Sequence, residues 1–314
     1  MDLCVMIKGV SFFFQTSVGT FGNGIILISY VNMLCSGSKM MPVDIVLSHL
    51  AFANMMVLLT RGVPQTMTVF GMENVLNDNG CKTVVYSYRI ARALSVSLTC
   101  LLSVLQAVTI APNNRGFIFK IKEVKYLSLS IIFIWLINMA VCIAAPFFSE
   151  VPKKGNIPKF TLNLGFCHVL FPDQLSYIIN GFAVTFRDFA FVALMVFASC
   201  YIIRILYRHR RRVRTIRRTT NGQTDSAETK AAKDVLRLVF LYVIFFGIDN
   251  IIWVNMLTVA DVPSIVTDMR VFFSSCYASL SPVLIINSNK KIRRGLKCPF
   301  MQQTNSPEVY VCHI

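Results

Sequence analysis

The chain has 314 residues, of which 55% are apolar and only 15% charged, whereas a soluble domain carries roughly 25% charged residues. Mean hydropathy is +0.60 and the formal net charge is +16. An ordinary soluble domain is excluded, so the charge does not point to nucleic acid but to basic loops held on the cytoplasmic side of a membrane.

A spanning helix needs about 20 mostly apolar residues. Seven segments qualify, at about 10–34, 43–70, 82–111, 125–146, 177–207, 231–258 and 268–288. The opening "MDLCVMIKGV" lacks a basic n-region and a small-residue cleavage site, so the first span is expected to act as its own insertion signal. Lys and Arg set the orientation. Arg115, Lys120, Lys122 and Lys125 follow the third span, "RHRRRVRTIRR" (208–218) follows the fifth, and "NKKIRRGLK" follows the seventh. These three segments share a side only if seven helices alternate with the N-terminus outside. Glu73, Asp78, Glu150, Asp173 and Asp261 then lie opposite, with Lys153, Lys154 and Lys159 as the basic exception in a long outer loop. The expected fold class is an all-α membrane protein, a seven-transmembrane helix bundle with N-terminus outside and C-terminus cytoplasmic. It forms a single domain over 1–314, in which 289–314 is a short tail with an amphipathic helix. The 208–218 run becomes the third cytoplasmic loop, facing anionic membrane lipid and cytosolic partners. Membrane spans on both flanks exclude a nucleic-acid arm.

Ten cysteines are present, most of them in spans or on the reducing side. Cys81 at the outer start of the third span and Cys167 in the long outer loop both face the oxidising side. A bridge between them is chemically allowed, and two free thiols are the alternative. Cys4 is expected to be outside and unpaired. Cys298 lies beside a basic stretch just past the last span, a candidate for lipidation. No metal-ligand spacing appears among the scattered histidines, and no cofactor is expected.

Ionisable residues inside spans are costly and mark functional sites. At about 1.5 Å per residue, Arg89 and Arg92 lie roughly 12 and 16 Å below Cys81. Arg61, Arg187, Asp188, Asp249 and Tyr277 fall at about 14 Å on the same reckoning. Tyr88 neighbours Arg92 at i,i+4. Two readings of this layer stand. In one, its charges only pair internally, for instance Arg187 or Arg92 with Asp249. In the other, four arginines against two aspartates leave a surplus that binds an anion such as a carboxylate or sulfate, which the guanidinium fork suits. Phe186, Phe189, Phe246 and Trp253 would supply apolar walls, or simply pack helices.

Two stretches, "HLAFANMMVLLTRGVPQTM" (49–67) and "GCKTVVYSYRIARALSVSLTCLLSVLQAVTIAP" (80–112), resemble the vomeronasal type-1 receptors and the fish olfactory receptors related to class A. Trp135, "SPVLIINSNKKIR" and Gly22–Asn23 extend the resemblance over nearly the whole chain. It implies a rhodopsin-like G protein-coupled receptor for a small-molecule chemosensory ligand. It also implies coupling to a heterotrimeric G protein of the inhibitory (Gi/Go) type, in the plasma membrane of olfactory or vomeronasal sensory neurons. A Cys81–Cys167 disulfide matches the rhodopsin-like pattern. There are departures. Val104-Leu105-Gln106 stands where Asp-Arg-Tyr is usual, Asn54 where the sodium-binding Asp is usual, and Ser281-Pro282 with Ile285 where Asn-Pro and a tyrosine are usual. No proline lies beside Trp253. With Val104, Leu105 and Gln106, the basic residues Arg204, Arg208, Lys230, Lys233 and Arg237 are expected to face the G protein. A transporter or channel for a small anion is the alternative, but the odd span count and lack of half-repeats disfavour it. No nucleophile–base or HExxH pattern suggests an enzyme.

Overall fold

A computed structural model of the chain describes residues 3–38, 40–72, 75–111, 124–152, 161–216, 227–258, 264–289 and 291–293. Cys298, the tail beyond 293, the loop at 112–123 and the Trp253 side chain lie outside the described residues. Seven helices are long and apolar enough to cross a membrane: α1 (Leu3–Cys35), α2 (Pro42–Val69), α3 (Asp78–Ile110), α4 (Val124–Val141), α5 (Gln174–Ile216), α6 (Ala227–Thr258) and α7 (Ser264–Ser288).

Two boundaries differ from the sequence reading in ways that matter. Residues 208–216 continue α5 and are not loop. From Phe182 to Ile216 the chain holds no glycine or proline, and arginine is a good helix former, so the helix outlasts the apolar segment that announced it. Helix α7 begins at Ser264 rather than near 268, which draws Arg270 into the bundle. Within α2, Leu58–Gly62 forms a wide π-turn. Pro64 follows closely, lacks an N–H and crowds the carbonyl four residues back; the wide turn accommodates it.

Helix α3 is the axis of the bundle. It packs against α2, α4, α5 and α6, and 72% of its spanning window is buried, against 22% for α1 and α5. The outer surface is apolar: Phe14 on α1, Phe133 on α4 and Phe197 on α5 are all exposed. Buried polar groups are cross-linked between helices, as a medium without water requires. Asn54 accepts the Ser95 hydroxyl of α3 at 2.7 Å and donates to Ser281 of α7 at 2.9 Å. A neutral amide serves there because it both accepts and donates. Asn138 of α4 donates to Ser97 of α3 at 3.1 Å, and Asn23 of α1 donates to the Ala278 carbonyl of α7 at 2.9 Å. Helices α1 and α7 touch closely, since a Cβ on Gly19 would lie 2.7 Å from Ser279 Cα; small residues permit such approach in membranes.

At the end of the bundle that holds the basic run, Asp44 in the first turn of α2 is buried. It receives the Lys291 ammonium at 3.0 Å, the Asn289 amide at 3.4 Å, the Tyr30 hydroxyl at 3.5 Å and the Met41 N–H at 3.2 Å. This knot ties the ends of α1, α2 and α7 together. Asn54→Ala should orphan two buried hydroxyls and cost about 1–3 kcal/mol. The check is the melting temperature of purified protein in detergent, which should fall by several degrees while Ala substitution at exposed Ser36 leaves it in place.

Candidate functional site

At the opposite end the chain folds a three-stranded antiparallel sheet of β1 (Ser149–Glu150), β2 (Thr161–Asn163) and β3 (His168–Leu170), in the order β1-β3-β2. Cys81 at the start of α3 is bonded to Cys167 beside β3, with a Cα–Cα distance of 5.8 Å. Between β2 and β3 the chain reverses at Gly165, whose φ of +87° is costly for any residue with a Cβ. Asn163 Oδ1 accepts the Gly165 N–H at 2.8 Å, and Leu164 N–H donates to the Cys167 carbonyl at 2.9 Å. The turn is therefore closed on itself, and its residues Phe166 and Cys167 are buried.

Directly below sits Arg61, on the π-turn of α2. Its guanidinium donates to the Leu164 carbonyl at 3.2 Å. It also lies 5.2 Å from the Phe166 ring centroid and 5.7 Å from that of Tyr88. This is a buried cation held by a carbonyl and two π-faces. Deeper in, three helices meet at Asp249 of α6. Arg92 of α3 reaches Oδ2 at 2.6 Å, and Arg270 of α7 reaches Oδ1 at 3.3 Å. Arg270 escaped the sequence reading because the expected start of the seventh span put it at the rim. Arg187 does not pair with Asp249. It folds onto its own neighbour Asp188 at 2.8 Å and donates to the Cys142 thiol at 3.4 Å. Arg89 donates to Asn180 of α5 at 3.0 Å, so a neutral amide, not a carboxylate, meets it. Among the described residues the layer thus holds five guanidiniums, of Arg61, Arg89, Arg92, Arg187 and Arg270, against the carboxylates of Asp188 and Asp249. Above it, Lys8 of α1 and Asp268 of α7 pair at 2.7 Å at the rim.

Beneath the Arg92–Asp249 pair is a cavity of about 30 Å³, lined by Arg92, Asp249, Tyr242, Phe246, Phe273 and Tyr277. That is room for a water or two. Tyr277 shares a 2.7 Å hydrogen bond with Thr99 and meets Tyr242 edge-on at 4.8 Å, closing the floor. Phe246 meets Phe189 at 5.3 Å. Phe186 is 65% exposed and stacks on Phe182 on the outside of the bundle, away from this cavity. The structure brings Arg92, Asp249, Tyr277 and Phe246 together, sets Arg61 and Tyr88 beside the hairpin, and puts Arg89, Arg187 and Asp188 toward α4 and α5.

Near the basic end, Leu105 and Gln106 are buried, and Val104 packs among Ala107, Ala198, Ile202 and Ala232. In this conformation Val104 packs against both α5 and α6. Arg204, Arg208, Lys230, Lys233 and Arg237 are exposed at the same end, with Arg237 bonded to Asp234 at 2.8 Å. Among the described residues no group of His, Cys, Asp and Glu side chains could hold a metal.

The model of the vomeronasal organ pheromone receptor family matches residues 6–298. The chain is 56% identical over 310 residues to a zebrafish protein named olfactory receptor class A-like protein 1, covering 98% of this chain and 97% of the relative. It is 31% identical over 283 residues to human vomeronasal type-1 receptor 4, covering 89% and 93%. These relatives are receptors rather than enzymes.

The bridge and the turn make a fixed cover over Arg61. Cys81→Ser and Cys167→Ser should each raise deuterium uptake across 161–170 severalfold, and the double variant should match either single one. Uptake unchanged in both single variants would show that the turn holds itself.

Proposed function

The chain belongs to the vomeronasal type-1 receptor family, and on that premise we propose how its parts divide the work of a chemosensory G protein-coupled receptor. The N-terminus and the hairpin face outward, and the basic end, with the C-terminus, faces the cytoplasm. The positive-inside rule supports this orientation. The receptor works in the plasma membrane of olfactory or vomeronasal sensory neurons and responds to a small organic molecule carrying an anionic group, as a pheromone-type cue.

The observation that carries the ligand reading is the excess of guanidinium over carboxylate in the half of the bundle beneath the hairpin. Among the described residues, two of these five arginines have an aspartate reaching across from another helix, and both share Asp249. Among the described residues Arg61 and Arg89 meet a carbonyl and an amide, and a carboxylate or sulfate would offer them a bidentate acceptor. Tyr88, Tyr242, Phe246 and Tyr277 add apolar and hydroxyl surface for the ligand body. A cavity of about 30 Å³ is that of a resting site; the ligand enters as helices separate, selecting a more open state.

At the other end, separation of α5 from α6 uncovers Val104, Leu105 and Gln106. Arg204, Arg208, Lys230, Lys233 and Arg237 then frame the groove for an inhibitory-type (Gi/Go) G protein, and the basic helical extension to Ile216 lies along anionic lipid headgroups.

Nucleotide exchange on a purified inhibitory-type G protein, with receptor in membranes and a panel of acidic, neutral and basic small molecules, tests this reading. Acids should stimulate exchange. Arg89→Gln or Arg92→Gln should abolish that stimulation, a loss of at least tenfold in potency; stimulation surviving both sinks the anion pocket. Neutralising Arg204, Arg208, Lys230, Lys233 and Arg237 together should abolish exchange at unchanged surface level, and normal signalling by that variant would remove these residues from the G protein contact.

A further inference from the structure

We propose that the cleft between α2 and α4, on the lipid-facing flank of the basic end, binds a single-chain carboxylate amphiphile of the bilayer, a fatty acid. The site is separate from the arginine layer and from the polar networks inside the bundle, and it stands whichever way that layer is read.

The cleft is a cavity of about 230 Å³, lined by Ile45 and His49 of α2 and by Ser128, Ile131, Ile132, Trp135 and Leu136 of α4. An apolar cavity of about 150 Å³ is enough to hold benzene, so this one takes a longer body. Ile131 is buried, whereas Ile132 and Leu136 are exposed on the lipid side; the cavity therefore opens sideways into the bilayer. The Trp135 ring meets His49 edge-on at 6.5 Å and Phe52 at 6.3 Å, which braces the indole that walls the cleft.

Polarity is graded along the cleft. Ser128 lies about 6 Å along α4 from Val124, and Trp135 about 16 Å, at the helical rise. His49 lies about 10 Å along α2 from Pro42 on the same rise. The polar groups thus sit toward the basic end, and the apolar wall runs toward the middle of the membrane. Lys125 is exposed and shares the side of Ser128 at i,i+3. Its long stem lets the ammonium swing to the mouth of the cleft.

Among the described residues, neither His49 nor Ser128 has a hydrogen bond within the protein. Ser130, by contrast, returns its hydroxyl to the Tyr126 carbonyl at 2.9 Å. A polar side chain facing hydrocarbon without a partner is unfavourable, and these two face the same cavity. Ser128 brings an O–H, the imidazole an N–H and Lys125 a positive charge. An acceptor carrying negative charge answers all three. An alcohol head answers the first two and gains nothing from the third. Hydrocarbon that leaves lipid for an apolar cavity gains little, so the head group sets the selectivity, and the volume admits one chain.

Trp135 supplies the readout. The chain has two tryptophans, so Trp253→Phe leaves Trp135 as the sole indole. This protein, in phosphatidylcholine vesicles at alkaline pH where the carboxyl is ionised, is titrated with dibromostearic acid, whose bromines quench indole fluorescence on contact. Quenching should saturate as the mole fraction of acid rises. Dibromostearyl alcohol, a dibrominated sterol and a brominated phosphatidylserine should give only the small linear loss of chance encounters in the bilayer. Lys125→Gln, at an exposed position, should raise the half-saturating mole fraction severalfold. Ser128→Leu, which fills the cleft, should abolish saturation with the unquenched emission retained. Linear quenching by the acid in the parent protein overturns the proposal. So does saturation by the alcohol, the sterol or the phosphatidylserine at the same mole fraction, or an unchanged half-saturation in Lys125→Gln.

Discussion

A guanidinium set inside an apolar bundle must be met by acceptors of the protein, and the half of the bundle under the hairpin is arranged around that demand. Arg61 is met by a backbone carbonyl and two aromatic faces, Arg89 by an amide, Arg187 by the adjacent carboxylate, and Arg92 and Arg270 by one shared aspartate. Each solution fixes something larger. The Arg61 contact seats the disulfide-tied turn on the helices. The Asp249 contact sets the separation of α3, α6 and α7. What would be an intolerable set of charges in lipid becomes the set of bolts that hold the entrance in register.

The other half of the bundle solves the same problem with fewer charges. Amides and hydroxyls join α2, α3, α4 and α7 through Asn54, Ser95, Ser281, Asn138 and Ser97. Among the described residues there, the buried carboxylate of Asp44 is matched by Lys291 and three neutral donors. A neutral network of this kind leaves no strong field to be answered by a ligand. The contrast separates a half that has positive charge to offer from a half that only maintains packing.

Hydropathy is a local property, so the existence of seven spans could be read from it; the second was expected at about 43–70 against Pro42–Val69, while α1 starts at Leu3 against an expected 10. The arginine layer was legible for the same reason, as ionisable residues stand out in apolar sequence. What hydropathy marks is the edge of the membrane, not the end of the helix. That is why the 208–216 extension of α5 and the early start of α7 were missed, and Arg270 with it. Pairing is a tertiary property. Arg187 could be assigned to Asp249 by depth alone, yet the long side chain closes on Asp188, which i,i+1 spacing alone would not suggest. Phe186 looked like a pocket wall because depth says nothing about which way a side chain faces. The Asp44 knot had a faint signal, an acid in the first turn of a helix, but its partners come from residues 30, 289 and 291.

The wide turn at Leu58–Gly62 bears on how such a receptor changes its tastes. A π-turn holds about one residue more than an α-turn, and one residue is about 100° around a helix. Everything beyond the turn is therefore rotated by that angle from where an unbroken helix would carry it. In this rotated frame Arg61 and Gln65 are buried, at 4% and 5% exposure, the one beneath the hairpin and the other beside Asp268 at 3.4 Å. Losing a single residue from the turn would leave the span long enough for the bilayer while presenting a different set of side chains to the entrance. Ligand preference in this architecture can thus drift by a change of phase along a helix, with every original side chain still in the sequence.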